Sequence, residues 1–315
     1  MSDGDFPDPP AGELNVTMLD VGQGECVGIE TREHHVYLVD AGSTSKKKTG
    51  QYQIIPWLKY IGTRSVEGIF ITHWDEDHIS AVGELLEWSE SSRVKIRRIF
   101  LPDVALKDEA ETLLQQIEEA EVSAEYLSAG EHMTDGALQI SCLHPMRKSA
   151  GGSHDASLVL RLSQGDFQML LTGDLEKSGE DWLAEQARPA GADPARCAGA
   201  GTPVCTVNPA RWAGAGTFAR TVKPARCAKF LRCTILDAGH HGASNATGEA
   251  LLDRHGRSWS CFCGKNNRYG HPAPETLERL EERESAGIPR RRSARYRCML
   301  ERKKVKIETS TSFSK

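Results

Sequence analysis

Short runs of apolar and β-branched residues alternate with turn residues through the first half of the chain. Residues 14–19 and 35–39 are two such runs, and each leads into an aspartate, Asp20 or Asp40, and a glycine turn. Residues 66–72 are a third run, apolar enough to predict a buried strand. The same patterns predict a further strand at 96–101 and helices at 52–61, 79–88 and 107–120.

The second half of the chain repeats this alternation. Strands are predicted at 138–143, 157–162, 167–172, 233–236 and 258–263, and helices at 175–186 and 274–283. Two strand-rich halves, each with its own helices, predict two sheets packed together with helices outside them.

A segment of different composition separates the predicted helix 175–186 from the strand 233–236. Residues 194–202 recur as 209–217, a period of 15 residues, and a partial third copy begins at Pro224. The repeat is too short and too rich in Gly, Ala and Pro for a solenoid. It therefore predicts a low-complexity insertion at about 188–232 without a core of its own. A basic loop that binds nucleic acid is the alternative.

Composition indicates an ordinary globular protein, with 315 residues, 39% hydrophobic and 26% charged. Residues 1–12 are acidic and Pro-rich and are expected to be disordered, which leaves 13–315 as a single domain. Because no stretch approaches the roughly 18 apolar residues that span a bilayer, we expect a soluble chain without membrane insertion. Nine cysteines without a CxxC pair indicate reduced thiols and a cytoplasmic location.

The net charge of −5 is unevenly distributed along the chain. Eight basic residues and one acid lie within 188–232, and nine basic residues and one acid lie within 290–306. The first interpretation is two solvated, poorly ordered segments, so that about 287–315 is an atypical basic tail. The second is that an acidic body holds metal while the basic segments bind a polyanion.

The strongest chemical signal is the segment His73-Trp74-Asp75-Glu76-Asp77-His78. Imidazole nitrogens and carboxylate oxygens suit zinc, manganese or iron. In an extended loop His73 and Asp75 fall on one side, while Asp77 and His78 come at the turn into the next helix, so one loop can face two ions. Acids also gather at ordinary helix N-termini, but His73 and the apolar strand before it favour metal binding.

Too few ligands for two ions lie in this loop, so others are expected downstream. Three candidate sets each follow an apolar strand: His144, Asp174 and the pair His240-His241. Strand ends gathered at one rim of a layered fold are where functional sites form. Each could individually be a turn residue, but their shared position after strands favours all three together.

The ordered series of motifs resembles the metallo-β-lactamase fold superfamily and, within it, the C-terminal hydrolase domain of ComEC-type competence proteins. The matching motifs include LDVGQGE (19–25), LVDAG (38–42), THWDEDH (72–78), LHP (143–145), LTGD (171–174), HHG (240–242) and YGHP (269–272). The resemblance implies an α+β fold, a four-layer αββα sandwich with two metals between the sheets. Asp75 stands where many relatives have a second histidine, which favours the ComEC-like branch.

The same resemblance implies roles by position. The implied first-metal ligands are His73, Asp75 and His144, the second-metal ligands are Asp77, His78 and His241, and Asp174 bridges. The order within the histidine pair stays open, with His241 preferred as ligand and His240 facing substrate. Asp40 is implied to orient the metal loop. His271 is implied to approach the scissile group, and its alternative is a helix-entry residue before Pro272.

Two departures from the family pattern stand out. The repeat replaces a short connection, and an arginine-rich stretch occupies the place of a strand-turn-strand finish beyond residue 285. The membrane helices of the channel proteins also have no counterpart in this sequence.

These features predict a binuclear metal-dependent hydrolase, a phosphodiesterase or nuclease acting on DNA or another phosphodiester through a metal-bridging hydroxide. Two divalent ions, zinc or alternatively manganese, are the expected cofactors. Asp77, His240 and His271 are the candidate catalytic residues, with a histidine as hydrogen-bond donor or acid. One alternative is a small-molecule ester, lactam or phosphoester hydrolase, which the acidic body favours. The other is a non-catalytic scaffold that binds nucleic acid or a protein partner. The sequence identifies no specific protein partner.

Overall fold

The alternating apolar runs form the strands of two sheets in the computed structural model, which describes residues 14–106, 108–146, 156–187, 221–222, 231–255, 259–261, 269–283, 295–301 and 304–310. The first sheet contains β1 (Leu14–Met18), β2 (Val27–Thr31), β3 (Val36–Val39), β4 (Ser65–Phe70), β5 (Lys95–Ile96), β6 (Arg98–Pro102), β7 (Ser123–Leu127), β15 (Arg295–Glu301) and β16 (Lys304–Ser310). The second contains β8 (Glu131–Asp135), β9 (Leu138–His144), β10 (Val159–Gln164), β11 (Phe167–Leu171), β12 (Thr221–Val222), β13 (Ile235–Asp237) and β14 (Trp259–Cys261).

Most of the helices lie on the outer faces of the two sheets. A π-helical turn, Gly50–Ile54, runs into α1 (Ile55–Tyr60). The others are α2 (Glu76–Ile79), α3 (Val82–Ser91), α4 (Asp108–Glu119), α5 (Lys177–Gln186), α6 (Gly239–Gly242), α7 (Glu249–His255) and α8 (Pro274–Glu282). No helix among the described ranges has the length and hydropathy to cross a bilayer.

Three apolar layers hold these elements together, and strand alternation sorts residues among them. Tyr37 and Phe70 point between the sheets, where the Phe70 and Phe100 rings stack with centroids 4.5 Å apart. Their strand neighbours Leu38 and Ile69 point the other way, into the layer shared with α1 to α4. A third layer joins the outer face of the second sheet to α5, α7 and α8. The predicted four-layer αββα sandwich is therefore confirmed.

The end of the chain differs from the sequence interpretation. Residues 295–301 and 304–310 were expected to belong to a poorly ordered basic tail lacking the family's strand-turn-strand finish, but they form the antiparallel pair β15 and β16. β15 also pairs with β1, with Leu300 opposite Leu14 and Tyr296 opposite Met18. Arginines at alternate positions of β15 conceal a period-2 pattern that is compatible with a strand.

Two other predicted segments lie mostly or wholly outside the described residues. They are the disordered lead-in, 1–12, and the insertion, 188–232. Of the insertion, residues 221–222 form β12 beside β8, and Leu231 is buried in the outer core of the second sheet.

Candidate metal centre

Asp40 anchors the loop that follows β4. Its carboxylate accepts hydrogen bonds from the backbone N–H of Thr72 at 2.7 Å, from the Thr72 hydroxyl at 2.6 Å and from Nδ1 of His78 at 2.7 Å. Asp40 is fully buried at the end of β3, with φ of 56°. Because these donors come from both ends of the loop, one side chain fixes the path of residues 72–78.

Two glycine turns pack directly against the backbone of this loop. A Cβ at Gly24 or Gly42 would overlap the Asp77 carbonyl group. The N–H of Glu25 donates to the Asp77 carbonyl at 3.0 Å, and the N–H of Ala41 donates to the His78 carbonyl at 2.8 Å. The turns after β1 and β3 need glycine here because any side chain would push the loop away.

Asp174 reaches two imidazoles from the end of β11. Its Oδ2 lies 3.6 Å from Nε2 of His73, and its Oδ1 lies 3.2 Å from Nε2 of His78. The two histidine rings are themselves 4.0 Å apart between centroids. Gly173, with φ of 50°, makes the turn that delivers this carboxylate. Asp174, which follows a strand of the second sheet, is thus buried against two imidazoles from the loop after β4 in the first sheet.

The histidine pair at α6 divides its two side chains between different surroundings. His240 and His241 both adopt the left-handed backbone region, with φ of 48° and 53°. His241 is buried, and its Nε2 lies 3.2 Å from Oδ2 of Asp77. His240 is partly exposed, with Nδ1 3.0 Å from Glu176 and Nε2 3.5 Å from Oδ2 of Asp174. The geometry therefore gives the two histidines different neighbours, whereas the sequence left their order open.

Compact groups of potential ligands result, each with its donor atoms within 4.8 Å of one another. Among the described residues they are His73, His78 and Asp174; Asp77, His78 and His241; Glu25, Asp40 and His78; and Glu25, Asp174 and His241. The second group contains the three residues expected around a second metal.

Two expected ligands, Asp75 and His144, lie outside these groups. Asp75 precedes α2 and has its carboxylate 3.7 Å from Nε2 of His73. His144 ends β9, and its Nδ1 is held 2.8 Å from the Ser157 carbonyl. That contact leaves the opposite nitrogen, Nε2, as the atom His144 could offer to a cation.

His271 lies at the outer side of the histidine pair. Its ring is 5.7 Å from that of His240 between centroids, and Tyr269 stacks on it at 6.0 Å. Burial, followed by the charges of His240 and His241, lowers the pKa of His271. It also lies just ahead of α8, so its place is compatible with a substrate contact and with helix entry.

Comparison with known proteins identifies the family. A family model described as "Metallo-beta-lactamase superfamily" matches residues 19–254. The chain belongs to this superfamily. "ComE operon protein 3" of Bacillus subtilis (strain 168) is 27% identical over 286 residues, which cover 86% of this chain and 31% of that protein. "Competence protein ComA" of Neisseria gonorrhoeae is 28% identical over 177 residues, covering 55% and 22% respectively.

The chain therefore spans less than a third of the length of either curated relative. Both relatives are competence proteins, which confirms the predicted resemblance. Among solved structures, the metallo-beta-lactamase fold protein YhfI from Bacillus subtilis aligns with a TM-score of 0.50 and 11% identity. The alignment covers 87% of this chain and 94% of that one, and it supports the shared fold alone.

The electrostatics of this superfamily site set its protonation. Burial and the neighbouring His78 lower the pKa of His73 to about 4, despite the charge of Asp174. Burial alone would lower the pKa of His78, but Asp174 and Asp40 raise it well above its usual value. Burial would raise the pKa of Asp174, but His78 and His73 hold it well below the usual value. Asp174 is thus held as a carboxylate among imidazoles at a buried position.

Two buried atoms test whether these residues suit a metal. Nε2 of His78 and Oδ1 of Asp174 are 3.2 Å apart, yet neither makes a hydrogen bond of acceptable geometry. Buried polar atoms without such a bond are rare in folded proteins. An imidazole nitrogen and a carboxylate oxygen are also the usual ligands of zinc and manganese. The donor set therefore fits divalent cations.

The sequence prediction gave no role to Glu25 or Glu176. Glu25 is buried beside the centre, with a carboxylate oxygen 3.9 Å from Nδ1 of His78. Burial raises the pKa of Glu25, although a hydrogen bond with Asp237 lowers it. Glu25 ends the LDVGQGE motif, and Glu176 follows the LTGD motif by two residues. This proximity to the motifs is the one sequence feature that points to either glutamate.

Proposed function

We propose that this superfamily member is a metal-dependent hydrolase that binds two divalent ions and cleaves phosphodiesters, with DNA as the leading substrate class. The observation that carries the proposal is the place of Asp174. One of its oxygens faces His73 and the other faces His78 and, at 4.0 Å, His241. A buried carboxylate between two sets of donors is suited to bridge two cations.

The ligand assignment follows from these two sets. In this proposal the first ion is held by His73, Asp75 and His144, the second by Asp77, His78 and His241, and both by Asp174. The support for the two sets differs, because the donor atoms of Asp77, His78 and His241 all lie within 4.8 Å of one another. The first depends on the 3.7 Å approach of Asp75 to His73 and on the ring orientation that Ser157 gives His144.

The surrounding residues provide the other requirements of hydrolysis. Two divalent ions would acidify a coordinated water and neutralise charge developing on a phosphoryl oxygen. Asp77 would orient the attacking water, and the 3.2 Å contact of its Oδ2 with Nε2 of His241 supports this role. His240 and His271 line the open side, where either can hydrogen-bond to the substrate oxygen or to the leaving group. Zinc, or alternatively manganese, is the proposed metal.

The choice of a phosphodiester rests on the competence proteins to which the chain is similar. Competence concerns DNA uptake, and a nuclease is an enzyme that such a system can use. The site itself supports only metal-assisted hydrolysis, because this architecture serves many substrates. The cytoplasmic location remains a prediction from cysteine composition.

Metal analysis combined with activity tests the proposal. Protein purified without chelators and supplied with zinc or manganese should bind about two ions per chain and hydrolyse bis(p-nitrophenyl) phosphate. Asp77→Ala should lose metal and activity, whereas Glu76→Ala, an exposed acid in the same loop, should keep its metal. A wild-type chain that binds no metal under these conditions would overturn the proposal. A metal-loaded chain that cleaves lactones or lactams but no phosphodiester would overturn the substrate class.

A further inference from the structure

The carboxylate of Glu176 lies beside the exposed member of the histidine pair. Glu176 is the N-cap residue of α5, but its side chain makes no capping hydrogen bond to that helix. One of its oxygens instead lies 3.0 Å from Nδ1 of His240, on a segment 64 residues away in the sequence. The contact therefore joins the start of α5, just after the LTGD motif, to the HHG motif, which follows the insertion in the sequence.

The backbone around this contact is fixed on both sides. The N–H of His240 donates to the Gly173 carbonyl at 3.0 Å, and the Thr172 hydroxyl donates to the Asp237 carbonyl at 2.9 Å. A Cβ at Gly239 would come within 3.0 Å of the Leu175 carbonyl oxygen. The two loops therefore touch along their length, so the Glu176 contact extends an existing interface.

The contact also decides which edge of the ring faces the candidate centre. With Nδ1 donating to Glu176, Nε2 of His240 is directed toward Oδ2 of Asp174, 3.5 Å away. His271 lies on the same open side. A carboxylate on one ring nitrogen is the usual means of fixing a histidine's orientation and tautomer.

We infer that Glu176 is a positioning residue, which clamps the His240 ring so that Nε2 is presented to the scissile group beside Asp174. This inference rests on the proposed function, since it gives His240 a substrate to face. Glu176 itself acts only through His240. The Glu176 side chain is about a quarter exposed, and its carboxylate contacts His240 instead of capping α5.

A double-mutant cycle tests the clamp in metal-loaded protein. Glu176→Ala should lower kcat for bis(p-nitrophenyl) phosphate by about 10-fold or more, with KM changed less than about twofold. In a His240→Ala background the same substitution should change kcat by less than about twofold. Glu176→Gln should recover part of kcat, because its amide oxygen can still accept from Nδ1. Asp181→Ala, an exposed acid on α5, is the matched control and should leave kcat unchanged.

Equal losses of kcat in the wild-type and His240→Ala backgrounds would overturn the clamp, because they would indicate a purely structural effect. A second measurement does not require activity. Imidazole ¹⁵N spectra should show His240 protonated at Nδ1 in the metal-loaded wild type and should lose that signature in Glu176→Ala. An unchanged signature would also overturn the clamp. If the wild type cleaves no phosphodiester, the proposed function fails, and the spectra still decide whether the clamp exists.

Discussion

At the scale of single residues, the candidate centre depends on unusual backbone conformations at a few buried positions. Asp40 has a positive φ and is completely buried, yet three donors satisfy its carboxylate. A strained backbone in such a place persists only when its surroundings fix it. Asp40 thereby prevents the two ends of the loop 72–78 from moving independently.

Removing this carboxylate should affect stability and metal affinity together. Asp40→Ala leaves the Thr72 N–H and the His78 Nδ1 without their buried acceptor, so we expect a loss of about 3 to 5 kcal/mol in the free energy of unfolding. Zinc affinity, measured by chelator competition, should fall by about 10- to 100-fold. The substitution Glu111→Ala, at an exposed position inside α4, should change neither quantity. An Asp40→Ala protein with wild-type zinc affinity would contradict the role of Asp40 as orienting acid.

The histidine pair shows what a sequence can and cannot decide at this scale. Ligand type and spacing predicted that the metal loop, Asp174 and one of the pair would meet, and the structure brings them together. The choice between His240 and His241 depends on two consecutive left-handed residues that aim the side chains apart. Histidine is among the non-glycine residues that adopt this region most often, but its propensity does not indicate which of the two rings turns toward Asp77.

At the scale of secondary structure elements, Glu180 connects α5 to α7 across the position of the insertion. Its buried carboxylate accepts hydrogen bonds from the N–H groups of Thr247 and Gly248, just before α7 begins. An acid at a helix N-terminus also interacts favourably with the helix dipole. The two helices are thereby held together whatever path the chain between them takes.

The burial of Glu180 should make stability depend on pH. Burial raises the pKa of Glu180 from 4.5 to about 7, although the two N–H donors oppose the shift. A group whose pKa is higher in the folded state stabilises below its unfolded value, and this contribution is lost as the pH rises through the folded value. The free energy of unfolding of the wild type relative to Glu180→Gln should therefore fall by about 3 kcal/mol between pH 4 and pH 8.

Urea unfolding of both proteins in the presence of EDTA measures this difference without contributions from metal binding. A difference between the two proteins that stays constant with pH would show that Glu180 is ionised at its ordinary pKa when folded.

Two strands that the sequence pattern does not predict, β7 and β8, share a physical cause. The sequence pattern predicts β3, β4 and β11 because these strands are almost wholly buried on both faces and are rich in apolar residues. β7 was missed because four of its five residues are at least partly exposed, and β8 is also mostly polar. Such strands are fixed by pairing with β6 and β9 rather than by their own pattern. A single sequence does not reveal that pairing.

At the scale of the whole molecule, charge separates the substrate hypotheses. The chain is acidic overall, with basic residues concentrated in 188–232 and 290–306. The part of the second segment that forms β15 and β16 belongs to the edge of the first sheet. A polyanionic substrate would use such charges and release counterions on binding.

The salt dependence of KM should show whether basic residues bind the phosphates of the substrate. If single-stranded DNA is the substrate, its KM should rise at least about 10-fold between 50 mM and 200 mM salt, as expected for several neutralised phosphates. The KM for bis(p-nitrophenyl) phosphate, which has one charge, should change by less than about twofold. Parallel, shallow responses of both substrates would instead favour a small-molecule phosphoester or ester as the natural substrate.

The pairing of β1 with β15 has a consequence for how the protein is made. β1 can pair with β2 as soon as both have been synthesised, but its other edge, from Leu14 to Met18, receives β15 only after β8 to β14 of the second sheet have been translated. Until then the growing chain exposes an unpaired strand edge of apolar composition, a surface prone to join other chains. The first sheet is therefore completed only after the strands of the second sheet have been synthesised, and a chain that stops before residue 295 would keep that edge open.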